Sequence, residues 1–193
     1  MPRVKDRAKR VVLAMREAVN LDKESSSVLE FACGPGVVCR EILPHVKDII
    51  GVDISTAAVE RCNQRFKEIG ANENCVAIEA NILTDKDALS GKQFDLVYCA
   101  SAYHHEITRN LSSFLKPDGA LIVVHNLAKG DPGEEVVDEH RTYVMRFGFN
   151  EEDMRTMFAT AGMKFVSFAE VPKDEKDNDI FIAKGILGSS TVL

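Results

Sequence analysis

The sequence lacks the features that mark several classes of protein. No run of about 18 apolar residues occurs, which is the least that a helix needs to span a bilayer. The five cysteines are odd in number and form no C-x-x-C pair, so a zinc ribbon, a thioredoxin motif and a complete disulfide framework all fit poorly. The formal net charge of −6 argues against nucleic acid or an anionic membrane as a partner. We therefore expect a cytoplasmic protein with reduced thiols.

We expect no targeting signal in the first residues. Arg16 and Glu17 interrupt the apolar stretch that a signal peptide needs, and Asp6 and Glu17 disfavour a transit peptide. Apolar residues recur instead at helical spacing from position 4 to position 19, which predicts an amphipathic helix. We expect this segment, residues 1–24, to pack on or cap a site in the domain formed by residues 25–193.

What the chain does contain is an alternation of strand-like and helical segments. Seven apolar runs predict strands, at 28–32, 48–52, 76–78, 94–99, 120–124, 164–171 and 180–186. Ser55 and Asn150 are suited to begin helices. The last two runs are too close together for a crossover helix, so they should pair antiparallel. The pattern predicts an α/β fold with a doubly wound, Rossmann-like sheet of seven strands, mostly parallel with an antiparallel C-terminal hairpin.

A glycine turn follows the first strand, in the sequence Cys33-Gly34-Pro35-Gly36. Glycines let a ligand approach the backbone, and the next helix offers free N–H groups. Asp53 closes the second strand, where a carboxylate accepts hydrogen bonds from the hydroxyls of a ribose. Together these residues predict a site for an adenosine-containing cofactor. They leave two cofactor classes open, because Cys39 is small enough to complete the G-x-G-x-x-G pattern of dinucleotide enzymes.

Three motifs distinguish between these classes. The sequence Glu30-Phe31-Ala32-Cys33-Gly34-Pro35-Gly36 resembles the E/D-x-G-x-G-x-G motif of the class I S-adenosylmethionine-dependent methyltransferases, and the segments 94–98 and 111–119 resemble later motifs of that family. The antiparallel hairpin also matches. The resemblance covers roughly residues 25–186 and is strongest to the small-molecule, ubiquinone-biosynthesis-like type 11 branch. It implies S-adenosyl-L-methionine as the cofactor.

The resemblance also implies the cofactor-binding residues. The turn would surround the methionine part, Asp53 would hold the ribose, Ile54 and Ile82 would pack on the adenine, Asn81 would contact its edge, and the backbone of Ala100 would lie near the amino acid. The full set is Glu30, Ala32, Cys33, Gly34, Gly36, Asp53, Ile54, Asn81, Ile82 and Ala100. The chain departs from the family at Ala32, where glycine is usual, and at Asn81, where aspartate is common. An alanine suits this turn only if its φ is negative.

Candidate catalytic and acceptor-binding residues lie further along the chain. Tyr103, His104 and His105 follow the fourth strand, and either histidine could act as a base if the acceptor must lose a proton. The alternative is that one histidine packs on the cofactor while the other caps a helix. Candidate acceptor-binding residues are His125, His140, Arg141 and Tyr143, in or beside a lid segment at 126–148. We expect no metal site, because adjacent histidines on a turn point apart and no third ligand has suitable spacing.

The sequence thus predicts an enzyme that transfers a methyl group from S-adenosylmethionine to a small-molecule acceptor by in-line displacement, as a monomer or homodimer. A non-catalytic cofactor-binding module or methyltransferase-fold partner protein is the alternative. A nicotinamide-dependent oxidoreductase is the third candidate.

Overall fold

A computed structural model describes residues 2–71, 73–85, 87–104, 107–128, 148–172 and 179–188. Their helices and strands alternate along most of the chain. In order these are α1 (Pro2–Ala18), β1 (Ser27–Phe31), α2 (Val37–Ile42), a 3-10 helix (Leu43–His45), β2 (Asp48–Asp53), α3 (Thr56–Glu68), β3 (Cys75–Glu79), β4 (Phe94–Ala100), α4 (Ile107–Ser112), β5 (Leu115–Asn126), α5 (Glu151–Thr160), β6 (Met163–Glu170) and β7 (Ile180–Leu187).

The seven strands form one sheet in the order β3-β2-β1-β4-β5-β7-β6. The pairs from β3 to β5 are parallel. β7 runs antiparallel to both β5 and β6. The predicted fold and the predicted antiparallel hairpin are therefore confirmed. Since β1 and β4 are neighbours although they are not consecutive, the strand order reverses between them, and this is where ligands bind in open α/β sheets.

Apolar side chains fill both faces of the sheet. On one face, Val28 and Leu96 pack in a buried cluster that includes residues of α1, α2 and α3. On the other face, Leu29 and Val97 pack with α4 and α5. Because both faces are covered, the inner strands are continuous apolar runs rather than alternating ones.

Two helices begin where the sequence predicts. The Ser55 hydroxyl accepts a hydrogen bond from the Ala58 amide at 3.3 Å at the start of α3. At the start of α5, Asn150 and Asp153 bond each other's backbone amides, which forms a complete capping box. None of the helices in the described ranges is long and apolar enough to cross a membrane.

The fifth strand is longer than predicted. It begins at Leu115, which pairs with Phe94, and a register shift between Phe94 and Leu96 accommodates the following turn. Asp118 takes a φ of 63° in that turn. The sequence predicted a strand only from residue 120, because proline and glycine at 117 and 119 are typical of loops.

Candidate active site

The turn after β1 opens its backbone to the carboxyl edge of the sheet. Gly34 and Gly36 have φ values of 51° and 70°, a region that favours glycine. A Cβ on Gly34 would meet nothing within 4 Å, whereas one on Gly36 would overlap the sulfur of Cys62. Gly34 therefore faces open space that a ligand can occupy, and Gly36 allows α3 to pack closely beneath the turn.

Ala32 does not have the negative φ that an alanine needs to suit this turn. Its φ is 54°, so an alanine occupies the left-handed region at a cost of about 1 kcal/mol. Hydrogen bonds on either side hold the turn in place, since the Cys33 amide donates to Val52 O at 3.0 Å and the Gly34 amide to Asp53 at 2.8 Å. The turn keeps its geometry in spite of the alanine.

Asp53 connects the turn to the end of β2. Its Oδ2 accepts the Gly34 amide at 2.8 Å, and its Oδ1 accepts the Ser55 amide at 2.9 Å. Each carboxylate oxygen keeps a further lone pair, so the side chain can accept two vicinal hydroxyls while it holds the turn. Ile54, the next residue, is 74% exposed, and it offers an apolar surface beside the carboxylate.

Glu30 lies beneath the turn and is buried. Its Oε2 accepts the Cys39 thiol at 2.6 Å and the Tyr98 hydroxyl at 2.7 Å. Burial raises the pKa of this carboxyl to about 8, and the two hydrogen bonds only partly oppose that effect. In the structure the side chain joins β1 to α2 and β4. A direct contact with the methionine part of a cofactor stays a prediction.

Residues after β3 and β4 lie at the same carboxyl edge of the sheet. The Ala80 amide donates to Asp53 O at 3.0 Å, which places the exposed Asn81 beside the end of β2. The Asn81 side chain accepts the Leu83 amide at 3.2 Å. Ile82 is only 1% exposed and belongs to the core, while Ala100, at the end of β4, is half-buried.

An aromatic group lies at the ends of β4 and β5. Tyr103 and His125 are buried, and both contact the ring of Phe149 edge to face, with centroids at 6.0 and 5.1 Å. The Tyr103 hydroxyl is hydrogen-bonded to Thr108, and burial raises its pKa, so it stays protonated. Burial lowers the pKa of His125, which leaves it neutral, and its Nδ1 has no hydrogen-bond partner among the residues described.

The remaining predicted residues divide into two groups. His104 is half-buried directly after Tyr103, and its backbone oxygen accepts the Ile107 amide at 3.2 Å. The other predicted residues lie outside the described part of the chain; these are His105, His140, Arg141, Tyr143 and residues 129–147 of the lid segment.

Sequence reasoning missed two residues at the end of β5. The Arg7 guanidinium of α1 donates to the Asn126 side chain at 3.5 Å, so α1 reaches the end of β5. Phe149 reaches it through an isolated bridge to Leu127. In the sequence, Arg7 lies beside the apolar face of α1, which indicates that it is near a packing surface. Nothing in the sequence links it to Asn126, which is 119 residues away.

Comparison with known proteins finds similarity to methyltransferases. Residues 28–119 match the model of a family described as a methyltransferase domain. An uncharacterized methyltransferase of Schizosaccharomyces pombe is 34% identical over 118 residues, which cover 56% of this chain and 42% of the relative. Glycine N-methyltransferase of Mus musculus is 33% identical over 117 residues, covering 51% and 39%. The chain spans about two fifths of the length of these two relatives.

Solved structures share the fold. Magnesium protoporphyrin IX methyltransferase from Synechocystis PCC 6803, solved with bound SAM, matches with a TM-score of 0.67 and 17% identity, covering 94% of this chain and 78% of that chain. The match over residues 28–119 and the shared fold support the family that the sequence predicts, the class I S-adenosylmethionine-dependent methyltransferases.

The residues at the carboxyl edge fit the cofactor of this family, S-adenosylmethionine. Open space faces Gly34, where the backbone can approach the methionine part. The Asp53 carboxylate suits the ribose hydroxyls, and the exposed Ile54 side chain suits one face of the adenine. Asn81 is exposed beside the end of β2, and its contact with the adenine edge stays a prediction.

Proposed function

We propose that this protein transfers a methyl group from S-adenosylmethionine to a small-molecule acceptor. The observation that carries the proposal is the Asp53 carboxylate, which is fixed by the Gly34 and Ser55 amides next to an open glycine turn. The methyltransferase match over residues 28–119 supports the same chemistry. When bound, the cofactor supplies a methyl group that is already activated by the sulfonium.

The protein's own contribution is to place the acceptor and exclude water. The acceptor would lie beyond the ends of β4 and β5, against Tyr103, His125 and Phe149. The neutral imidazole of His125 would line the acceptor site together with the ring of Phe149, which it contacts edge to face. An acceptor that loses a proton would use His104 or His105, whereas the protonated Tyr103 hydroxyl would serve only to position it.

We further propose that α1 and residues 126–148 cover the acceptor. The contact between Arg7 and Asn126 supports this for α1, because it ties the helix to the end of β5. A positive charge there favours an acceptor that carries an anionic group. We also propose that the protein is a cytoplasmic monomer or homodimer without a nucleic-acid partner. The net charge of −6 supports the absence of a nucleic-acid partner.

Calorimetry with S-adenosylmethionine and its product S-adenosylhomocysteine tests the cofactor site. Asp53→Asn should weaken binding roughly 10- to 100-fold, because it replaces hydrogen bonds to a charged group. Asp48→Asn is the matched control, since Asp48 begins the same strand at the opposite edge of the sheet. Equal binding by the Asp53→Asn variant and the unsubstituted protein would refute the site.

A panel of small acceptors, monitored by release of S-adenosylhomocysteine, tests turnover. Once an acceptor is found, His125→Ala should lower kcat/KM for it at unchanged cofactor affinity. His45→Ala, in the 3-10 helix before β2, is the control. Tight cofactor binding without turnover of any acceptor would favour the non-catalytic alternative.

A further inference from the structure

A cavity lies at the amino edge of the sheet, opposite the candidate cofactor site. It has a volume of about 600 Å³ and is lined by the end of α2, the 3-10 helix, the residues after α3 and the loop before β1. This volume falls within the range of about 300–1,000 Å³ that is typical of small-molecule sites. None of the described residues that line it belongs to the glycine turn or to the strand ends around Asp53, so the cavity does not overlap with the cofactor site.

Cations from three separate segments line this cavity. Lys23 comes from the loop between α1 and β1, Arg40 from α2, and Lys47 directly precedes β2. Glu73 is the one carboxylate among the described lining residues. The cavity therefore has an excess of two positive charges, although the whole chain carries a net charge of −6. A positive cavity in a negatively charged protein favours an anionic ligand.

These cations are available to a ligand. Lys23 and Lys47 are exposed, and neither forms an ion pair within the described ranges. The Arg40 Nε lies 4.0 Å from the Glu41 carboxylate, which is a long contact through one nitrogen only. A guanidinium can bind a carboxylate or a phosphate through two parallel hydrogen bonds, and lysine ammonium groups add point charges. The charged part of the cavity thus suits a carboxylate or a phosphate group.

The rest of the cavity wall is largely apolar. Leu43, Pro44 and Val46 follow α2 along the chain, and Ile69 follows α3. The Ile69 side chain is 43% exposed. Because removing apolar surface from water stabilises a complex, a ligand gains affinity if it carries an apolar group that covers this wall.

We propose that this cavity is a binding site for a small organic anion, in which a carboxylate or phosphate group is joined to an apolar group. The anionic group would lie among Lys23, Arg40 and Lys47, and the apolar group would lie against Leu43 and Ile69. An inorganic anion uses only the cations and a neutral apolar molecule uses only the wall, so both should bind more weakly. The proposal does not rest on the proposed function, because the cavity shares no described residue with the cofactor site.

Calorimetry with two aromatic anions, phenyl phosphate and benzoate, tests the ligand class. At least one of them should bind roughly tenfold or more tightly than inorganic phosphate and phenol, which serve as the separate charged and apolar parts. The better of the two anions shows whether the cavity prefers a phosphate or a carboxylate. Binding of neither anion at concentrations up to about 10 mM, or inorganic phosphate binding as tightly as phenyl phosphate and benzoate, would overturn the proposal.

Two exposed substitutions locate the bound anion. Lys47→Glu should weaken its binding roughly tenfold or more, whereas Lys9→Glu, the same change on an exposed position of α1, should not. Ile69→Ser should weaken binding of the aromatic anion and leave that of inorganic phosphate unchanged. Its control is Leu13→Ser on α1, where the side chain is 54% exposed. If the substitutions in the cavity have no more effect than their controls, the anion binds elsewhere and the proposal is wrong.

Competition with S-adenosylhomocysteine distinguishes this cavity from the cofactor site. A saturating concentration of S-adenosylhomocysteine should leave bound anion in place, because the two sites lie at opposite edges of the sheet. Displacement of the anion would show that it occupies the cofactor site and would contradict the proposal. If S-adenosylhomocysteine does not bind at all, the proposed function fails, whereas the comparison of Lys47→Glu with Lys9→Glu still decides whether the cavity binds the anion.

Discussion

Replacement of Glu30 by glutamine should change how the stability of the protein depends on pH. Burial raises the pKa of this carboxyl from 4.5 to about 8 in the folded protein. The folded state therefore keeps a proton that the unfolded state releases above about pH 4.5, so the free energy of unfolding falls as the pH rises through this interval. Each pH unit is worth about 1.4 kcal/mol, which amounts to about 4 kcal/mol between about pH 5 and pH 8. The contribution is complete below pH 4.5 and is lost as the pH reaches the folded value.

Urea denaturation at a series of pH values measures this contribution. The difference in unfolding free energy between the unsubstituted protein and Glu30→Gln should fall by about 4 kcal/mol from about pH 5 to pH 8, because glutamine does not titrate. Using the difference removes the titrating groups that behave alike in both proteins. Glu60→Gln, an exposed change on α3, is the control. Its unfolding free energy should differ from that of the unsubstituted protein by the same amount at every pH. Two parallel stability curves for Glu30→Gln and the unsubstituted protein would refute the burial argument.

Three further substitutions test particular contacts by the same denaturation assay. Ala32→Gly removes the cost of a φ of 54° and should raise the free energy of unfolding by up to about 1 kcal/mol; a decrease would show that the turn is not strained. Tyr98→Phe removes a hydrogen bond to buried Glu30 and should cost about 1–3 kcal/mol, and a neutral result would mean that water replaces the hydroxyl. Asn150→Ala removes the side chain that begins α5 and should cost about 1 kcal/mol, unless another group caps the helix.

Features set by neighbouring residues could be predicted from the sequence. The strands are short apolar runs, and the helices begin at Ser55 and Asn150, whose side chains bond amides three residues later. The glycine turn and Asp53 could also be recognised, because both lie at the ends of predicted strands. The conformation of Ala32 could not, since the neighbouring Gly34 amide is held by a hydrogen bond that it donates to Asp53 on another strand.

Features set by distant residues could not be predicted. The partner that Glu30 finds in Tyr98 lies 68 residues away, and nothing in either local sequence indicates that the two meet. Apolar runs at 28–32 and 94–99 predict strands, but only the order of the sheet places β1 beside β4 and brings the carboxyl to the hydroxyl.

The same difference between neighbouring and distant residues separates the cofactor side of the site from the proposed acceptor side. The cofactor side is built from strand ends that follow one another along the chain, so a motif describes it and the family shares it. The proposed acceptor side would combine Arg7, His125 and Phe149, which come from α1, β5 and the segment before α5. Such contacts join distant segments and leave no local motif in the sequence. The acceptor should therefore be sought by screening against the shape and charge of these three side chains, since the methyltransferase motif carries no information about it.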